Sequence, residues 1–170
     1  LPIYGLLLFV MTTLNWGLGI ALEKNLASSA NSKSTAKAML GAGVVLNLAC
    51  LCYYKYTNFF LANAIGAVKI FGDAAHLDAT ANLKAPVLDI VLPLGISFFV
   101  FEFIHYLVDV YRGSKSVGSW MEFAAFTAFF PSQIAGPIKR YQDFVENLRK
   151  PLPWSPELFN EAMTLIVQGM

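Results

Sequence analysis

The sequence predicts an all-α integral membrane protein, and three observations carry that prediction. Hydrophobic residues make up 56% of the 170 and charged residues only 14%, against about 25% charged in a soluble domain. Apolar runs of membrane-spanning length recur at residues 3–22, 38–56 and 87–111, close to the ~20 residues a helix needs to cross a bilayer. A fourth apolar run is then interrupted by helix breakers, in "FFPSQIAGPIKRY" at 129–141. Mean hydropathy is +0.56. The net charge of +1 says nothing as a total, so orientation has to come from where Lys and Arg fall. No face or tail concentrates basic residues, which argues against nucleic acid as a partner.

The first run, Ile3 to Leu22, carries no charge, and Asn15-Trp16 near its end would place an indole at headgroup level. The polar loop 23–37 holds Lys24, Lys33 and Lys37 against Glu23, so it is expected on the cytoplasmic side. Met39 to Tyr54 crosses back, with Gly41, Ala42 and Gly43 permitting close helix packing. "YYKYTNFF" at 53–60 reads as an aromatic belt with Lys55 snorkelling. Apolar positions Phe60, Ala64, Ala67 and Phe71 suit an interfacial continuation over 58–71. Loop 72–86, with Asp73, His76 and Asp78 but only Lys84, belongs on the opposite face. Cys50 and Cys52 have neither CxxC nor zinc spacing and read as small buried hydrophobes.

The third span, 87–111, is expected as one helix that delivers Arg112 and Lys115 back to the cytoplasmic side. It carries Asp89, Glu102, His105 and Asp109, and ionisable groups at membrane depth are functional candidates. Glu102, His105 and Asp109, at i, i+3 and i+7, share a helical face. Interhelical hydrogen bonding explains such a face equally well, so Glu102 and His105 are candidates for catalysis without being assigned to it. His76 reads as an ordinary surface histidine.

Trp120 to Phe130 spans only about 16 Å as a helix, half of a ~30 Å hydrocarbon core. Pro131, Gly136 and Pro137 then break the backbone, and Lys139 to Lys150 is rich in Lys and Arg. The simplest path is a re-entrant segment over 119–138 that enters and leaves by the cytoplasmic face. Non-helical backbone at that depth requires protein or water to satisfy it, so the break predicts a lined cavity. Lys139 and Arg140 are positioned as charge anchors or as a phosphate contact at its mouth. Tyr141, Phe144, Val145 and Leu148 place an amphipathic surface helix at 141–150. Ser155, Pro156 and Glu157 open a further helix, 156–170, that meets no C-cap. With Leu1 in place of Met and no basic leader, the chain is expected to be an internal fragment of a larger protein.

Two stretches, "LPLGISFFVFEFIHYLVDVYRG" (92–113) and "FFPSQIAGPIKRYQDF" (129–144), resemble the membrane-bound O-acyltransferases, in the bacterial branch with alginate O-acetyltransferase and the D-alanyl teichoic acid transferase. "NWGLGIALE" and "NLACLCYYKYTNFF" fit the same branch in order and spacing. The resemblance implies a multi-helix bundle of that family, of which residues 1–170 are one N-terminal-half fragment, in the bacterial inner (cytoplasmic) membrane. It implies transfer of an acyl group, commonly acetyl, from an acyl-CoA or acyl-carrier thioester to hydroxyls of an extracytoplasmic polysaccharide such as alginate. A periplasmic acetyltransferase or an acyl carrier protein is the implied partner, and no metal or permanently bound cofactor is implied. Pro131, Gly136, Pro137, Lys139 and Arg140 would line the donor tunnel after Asp109, Tyr111 and Arg112 end the preceding helix. The family's catalytic histidine is expected beyond residue 170, so its role is not carried to His105. A transporter element, or a non-catalytic membrane scaffold, is the alternative.

Overall fold

The computed structural model describes residues 2–28, 33–74, 84, 86–129, 131, 140–150 and 155–169. Among them every regular element is helical and there is no strand. Helix α1 covers Pro2–Ala27. Helix α2, Lys33–Leu51, runs through a π-helical turn, Cys52–Tyr56, into α3, Thr57–Ala74. Two helical runs are long and apolar enough to cross a membrane, Ile3–Ala27 and Lys33–Phe71.

The second run differs from expectation. The span at 38–56 and the separate piece at 58–71 form one unbroken helical path. At 1.5 Å per residue α2 alone covers about 28 Å, close to the ~30 Å hydrocarbon thickness. The π turn therefore comes about where the run has crossed such a layer. Its widened register leaves carbonyls short of partners, and Thr57 Oγ1 donates to the Tyr53 carbonyl at 2.6 Å, with the Cys52 carbonyl 3.5 Å away. Tyr53 and Tyr56 are exposed here, and Lys55 Nζ sits 5.5 Å from the Tyr56 ring centre, within cation–π range.

The third apolar run is also not one helix. Helix α4 covers only Ile96–Tyr111, about 24 Å. Pro93 cannot donate an N–H, and Gly95 takes a left-handed φ of 74° at the N-cap, so the preceding residues stay non-helical. Asp89 thus lies on this irregular segment and not on a helix with Glu102, His105 and Asp109. Asn58 exchanges two 3.0 Å hydrogen bonds with the backbone N–H and C=O of Leu88. Tyr4 OH donates to the Val91 carbonyl at 2.9 Å.

Helix α4 packs against both α1 and α2, which also pack on each other. Its Phe99, Val100, Phe103, Tyr106, Leu107 and Val110 are buried there. Two glycines let the helices close. A Cβ at Gly19 would stand 2.2 Å from the Tyr106 hydroxyl oxygen and 2.5 Å from its ring, and one at Gly43 would meet methyls of Leu18 and Leu107 at 2.5 and 2.6 Å. Between α1 and α2, Asn15 and Asn47 are fully buried and pair amide to amide, at 2.7 and 3.2 Å. Each spends its second N–H on a carbonyl one turn back, Met11 for Asn15 and Gly43 for Asn47. Both side chains are thereby satisfied, which makes their burial tolerable. Asn15 is therefore an interhelical lock.

Gly19→Ala should destabilise the fold by about 1–3 kcal/mol, the usual penalty of overpacking, because the Tyr106 ring is wedged among other aromatics. Gly5→Ala, whose added methyl meets nothing within 4 Å, should leave stability unchanged or raise it. Thermal melts of the two variants in detergent check this.

Candidate functional site at the turn joining α4 to α5 and α6

Beyond α4 the chain turns through residues 113–119 into a short helix, α5, Trp120–Thr127. Gly113, at φ 105°, makes the reversal possible, and Ser119 caps α5 by accepting the Glu122 N–H at 3.5 Å. The turn is held at three successive residues. Tyr141 OH donates to the Lys115 carbonyl. The Glu23 carboxylate accepts the Ser116 N–H at 3.0 Å and also the Ser116 hydroxyl. Trp16 Nε1 donates to the Val117 carbonyl at 2.8 Å. Trp16 is thus a half-buried strut between α1 and this turn.

From this turn the chain climbs along α1. Trp120 Nε1 donates to Thr13 Oγ1 at 3.2 Å, the Trp120 ring lies 5.4 Å from that of Phe9, and Thr127 pairs with Thr12 at 3.2 Å. Both ends of α5 lie beside the middle stretch of α1, Trp120 at Phe9 and Thr13 and Thr127 at Thr12. It ends at Thr127, earlier than the Phe130 that the apolar run suggested.

Helix α6, Tyr141–Arg149, packs back against α5. The Phe144 ring lies 5.6 Å from Phe126 and 5.3 Å from Phe129. The Arg149 guanidinium grips the Glu122 carboxylate with Nε and Nη2 at 2.7 and 2.6 Å, which raises the arginine pKa further through that hydrogen bond. Tyr141 stands edge-on to Tyr106 at 4.9 Å. Burial pushes its phenol up to about 12, with the charge of Asp109 adding to the effect, so it remains a hydrogen-bond donor at neutral pH. Tyr141 and Val145 are buried while Leu148 is exposed. A last helix, α7, Pro156–Gly169, starts where the Ser155 hydroxyl accepts the Leu158 N–H at 3.1 Å.

Of the sequence-derived site residues, the structure describes Pro131, Arg140, Glu102 and His105. Gly136, Pro137 and Lys139 lie outside the described residues, as does His76. Pro131 is helical and exposed, and Arg140 is an exposed, extended N-cap of α6. Glu102 is only 3% exposed. His105 opens instead into a groove of about 410 Å³ lined by Phe101, Ile104, Val108 and Arg112. Its Nε2 is 3.8 Å from Asp109 Oδ2, an ion pair only when the imidazole is protonated. No group of three or more His, Cys, Asp or Glu side chains among the described residues could hold a metal ion. Glu23 and Trp16 stand out in the sequence without a link to the turn, and Ser116 does not stand out. The available signal was Glu23, a lone acid in a lysine-rich loop.

The described residues are all helical in their regular elements, two of their helical runs are long and apolar enough to cross a membrane, and a turn held by side chains leads into the short helix α5, an arrangement consistent with a membrane protein. The chain is 35% identical over 160 residues to a probable alginate O-acetylase of Azotobacter vinelandii, covering 94% of this chain and 29% of that protein. It is 34% identical over 165 residues to a probable alginate O-acetylase of Pseudomonas putida, covering 96% and 31%. Against a teichoic acid D-alanyltransferase of Lacticaseibacillus rhamnosus it is 31% identical over 134 residues, covering 75% and 32%. No family model and no solved structure matches it. The chain belongs to the membrane-bound O-acyltransferases, in the branch that includes these proteins, and spans about three tenths of the length of the alginate O-acetylases it matches.

Glu23→Ala should accelerate amide exchange at Ser116 by about tenfold or more, the value of a lost charge-assisted hydrogen bond. Glu23→Gln, which keeps a neutral acceptor, should fall between. Unchanged exchange in both variants would show that the carboxylate does not hold the turn.

Proposed function

We propose that this chain is part of a membrane O-acyltransferase that moves an acyl group, commonly acetyl, from a thioester donor on the cytoplasmic side to hydroxyls of an extracytoplasmic polysaccharide such as alginate. The observation that carries the reading is the match to alginate O-acetylases at 34–35% identity over nearly the whole chain. The protein would sit in the bacterial inner membrane as a multi-pass chain, with the Lys24 end of α1 and the turn at 115–117 on the cytoplasmic side. This follows from the lysines of loop 23–37 and from Arg112 and Lys115.

In this reading α5 is the inbound limb of a re-entrant segment and α6 lies at the surface after it returns. The approach of α5 to mid-α1, and the hydrogen bond between Tyr141 and Lys115, support that path. Pro131, Gly136, Pro137, Lys139 and Arg140 would line the donor entrance. The donor is acyl-CoA or an acyl-carrier thioester, and a periplasmic acetyltransferase or an acyl carrier protein is the partner.

The acceptor hydroxyl attacks the thioester carbonyl, the hydroxyl proton passes to a general base and on to the departing thiolate, and an ester and a thiol result. Arg140, at the mouth, orients an anionic donor. The base is not assigned to His105 or Glu102.

Membranes containing the intact protein, supplied with labelled acetyl thioester and alginate, should label the polymer. Arg140→Ala should raise the donor KM by about tenfold with little change in kcat. Folded, inserted wild-type protein that transfers no label to any polymer hydroxyl would contradict the proposal.

A further inference from the structure

We infer that the turn at 115–117 and helix α6 form a binding pocket for a phosphate ester carried on a flexible organic chain. The pocket is open and holds about 390 Å³, within the range of small-molecule sites. Its floor is apolar and fixed. Val117, Tyr141 and Val145 are all buried, and the backbone above them is clamped by Glu23, Trp16 and Tyr141. Its lining carries Lys115, Arg149 and Lys150 with Glu146, and two further carboxylates reach lining residues, Glu122 on Arg149 and Glu23 on Ser116, so Lys115 is the cation no carboxylate holds within ion-pair distance among the described residues.

The rim charges differ in availability. Arg149 uses Nε and Nη2 on Glu122, leaving the remaining N–H donors of its guanidinium. Lys150 is tied to Glu146 at 2.7 Å, one helical turn away and with both side chains exposed. An exposed pair of this kind is weak and yields to a phosphate, which takes charge-assisted hydrogen bonds from both lysine and arginine. Lys115 lies on the exposed edge of the turn. An apolar floor beneath cations selects a ligand that is anionic at one end and apolar along its stem.

Two sources present that chemistry here: the phosphopantetheine arm of a soluble thioester donor, and an anionic phospholipid headgroup. The first rests on the function proposed above, and the second does not. Neither draws on Arg140 or on residues 132–139.

The test uses the intact protein in nanodiscs, as wild type and as Lys115→Gln/Lys150→Gln, two exposed positions at which removal of the charge adds no acid beside Glu23 or Glu146. In phosphatidylcholine discs coenzyme A is the probe, and in mixed discs the enrichment of phosphatidylglycerol around the protein is measured. Salt-sensitive coenzyme A binding that the double variant weakens by about tenfold or more supports the pocket with the donor as its source. Absent coenzyme A binding, together with phosphatidylglycerol enrichment that the variant abolishes, supports it with lipid as its source. Equal behaviour of wild type and variant towards both probes overturns it. Acyl transfer is assayed in parallel: coenzyme A binding through these residues without any transfer would retain the pocket and contradict the acyltransferase reading.

Discussion

The constraint on which this structure depends is that backbone outside a helix finds no water at membrane depth and must be satisfied by protein. Among the described residues, the two irregular stretches that flank α4 are held by side chains sent from a neighbour, whatever water reaches them. Tyr4 and Asn58 serve the segment before α4. Glu23, Trp16 and Tyr141 serve the turn after it. Helix α4 is thus bracketed by two breaks, each tied to a helix already in place, and a run too short to cross as helix is still fixed in position.

The polar pairs and the glycines divide the labour. The Asn15–Asn47 exchange sets the register of α1 against α2, since sliding either helix by a residue would bury an unpaired amide. Gly19 and Gly43 then admit the Tyr106 and Leu107 side chains of α4. From Tyr106 a continuous set of rings leads outward through Phe123, Phe126 and Phe144, so the position of α6 is set by the α1–α4 contact. The proposed donor entrance and the phosphate pocket both depend on that chain of packing, because Tyr141 belongs to the rings and to the pocket floor alike.

Much of this was legible in the residues. Apolar run length marked α1 and α2, and Ser155 marked the start of α7. The pattern of Tyr141, Phe144, Val145 and Leu148 marked the amphipathic helix α6, although Leu148 stays exposed. The family was readable from two motif stretches. What failed was local. Hydropathy alone joined 87–95 to α4, although Pro93 and Gly95 carried the break in plain view. The π turn left no signature, because a one-residue widening changes register and not composition. The apolar run placed the end of the first helix at Leu22, whereas α1 extends to Ala27. The Glu23–Ser116 and Tyr141–Lys115 contacts bridge residues far apart in the chain, beyond any periodicity. At the proposed entrance, Gly136, Pro137 and Lys139 fall outside the described residues, and the structure neither assembles nor disperses that part of the motif.

The central claim is that the chain from Lys115 to Lys150 leaves and returns on one face of the membrane while the segment before α4 lies on the other. Single cysteines at Lys84, Lys115 and Lys150, in a background with Cys50 and Cys52 replaced, would be probed with a membrane-impermeant thiol reagent in sealed vesicles of known orientation. Positions 115 and 150 should label together from the cytoplasmic face, and position 84 only from the opposite face. Labelling of 115 and 150 from opposite faces would contradict the account.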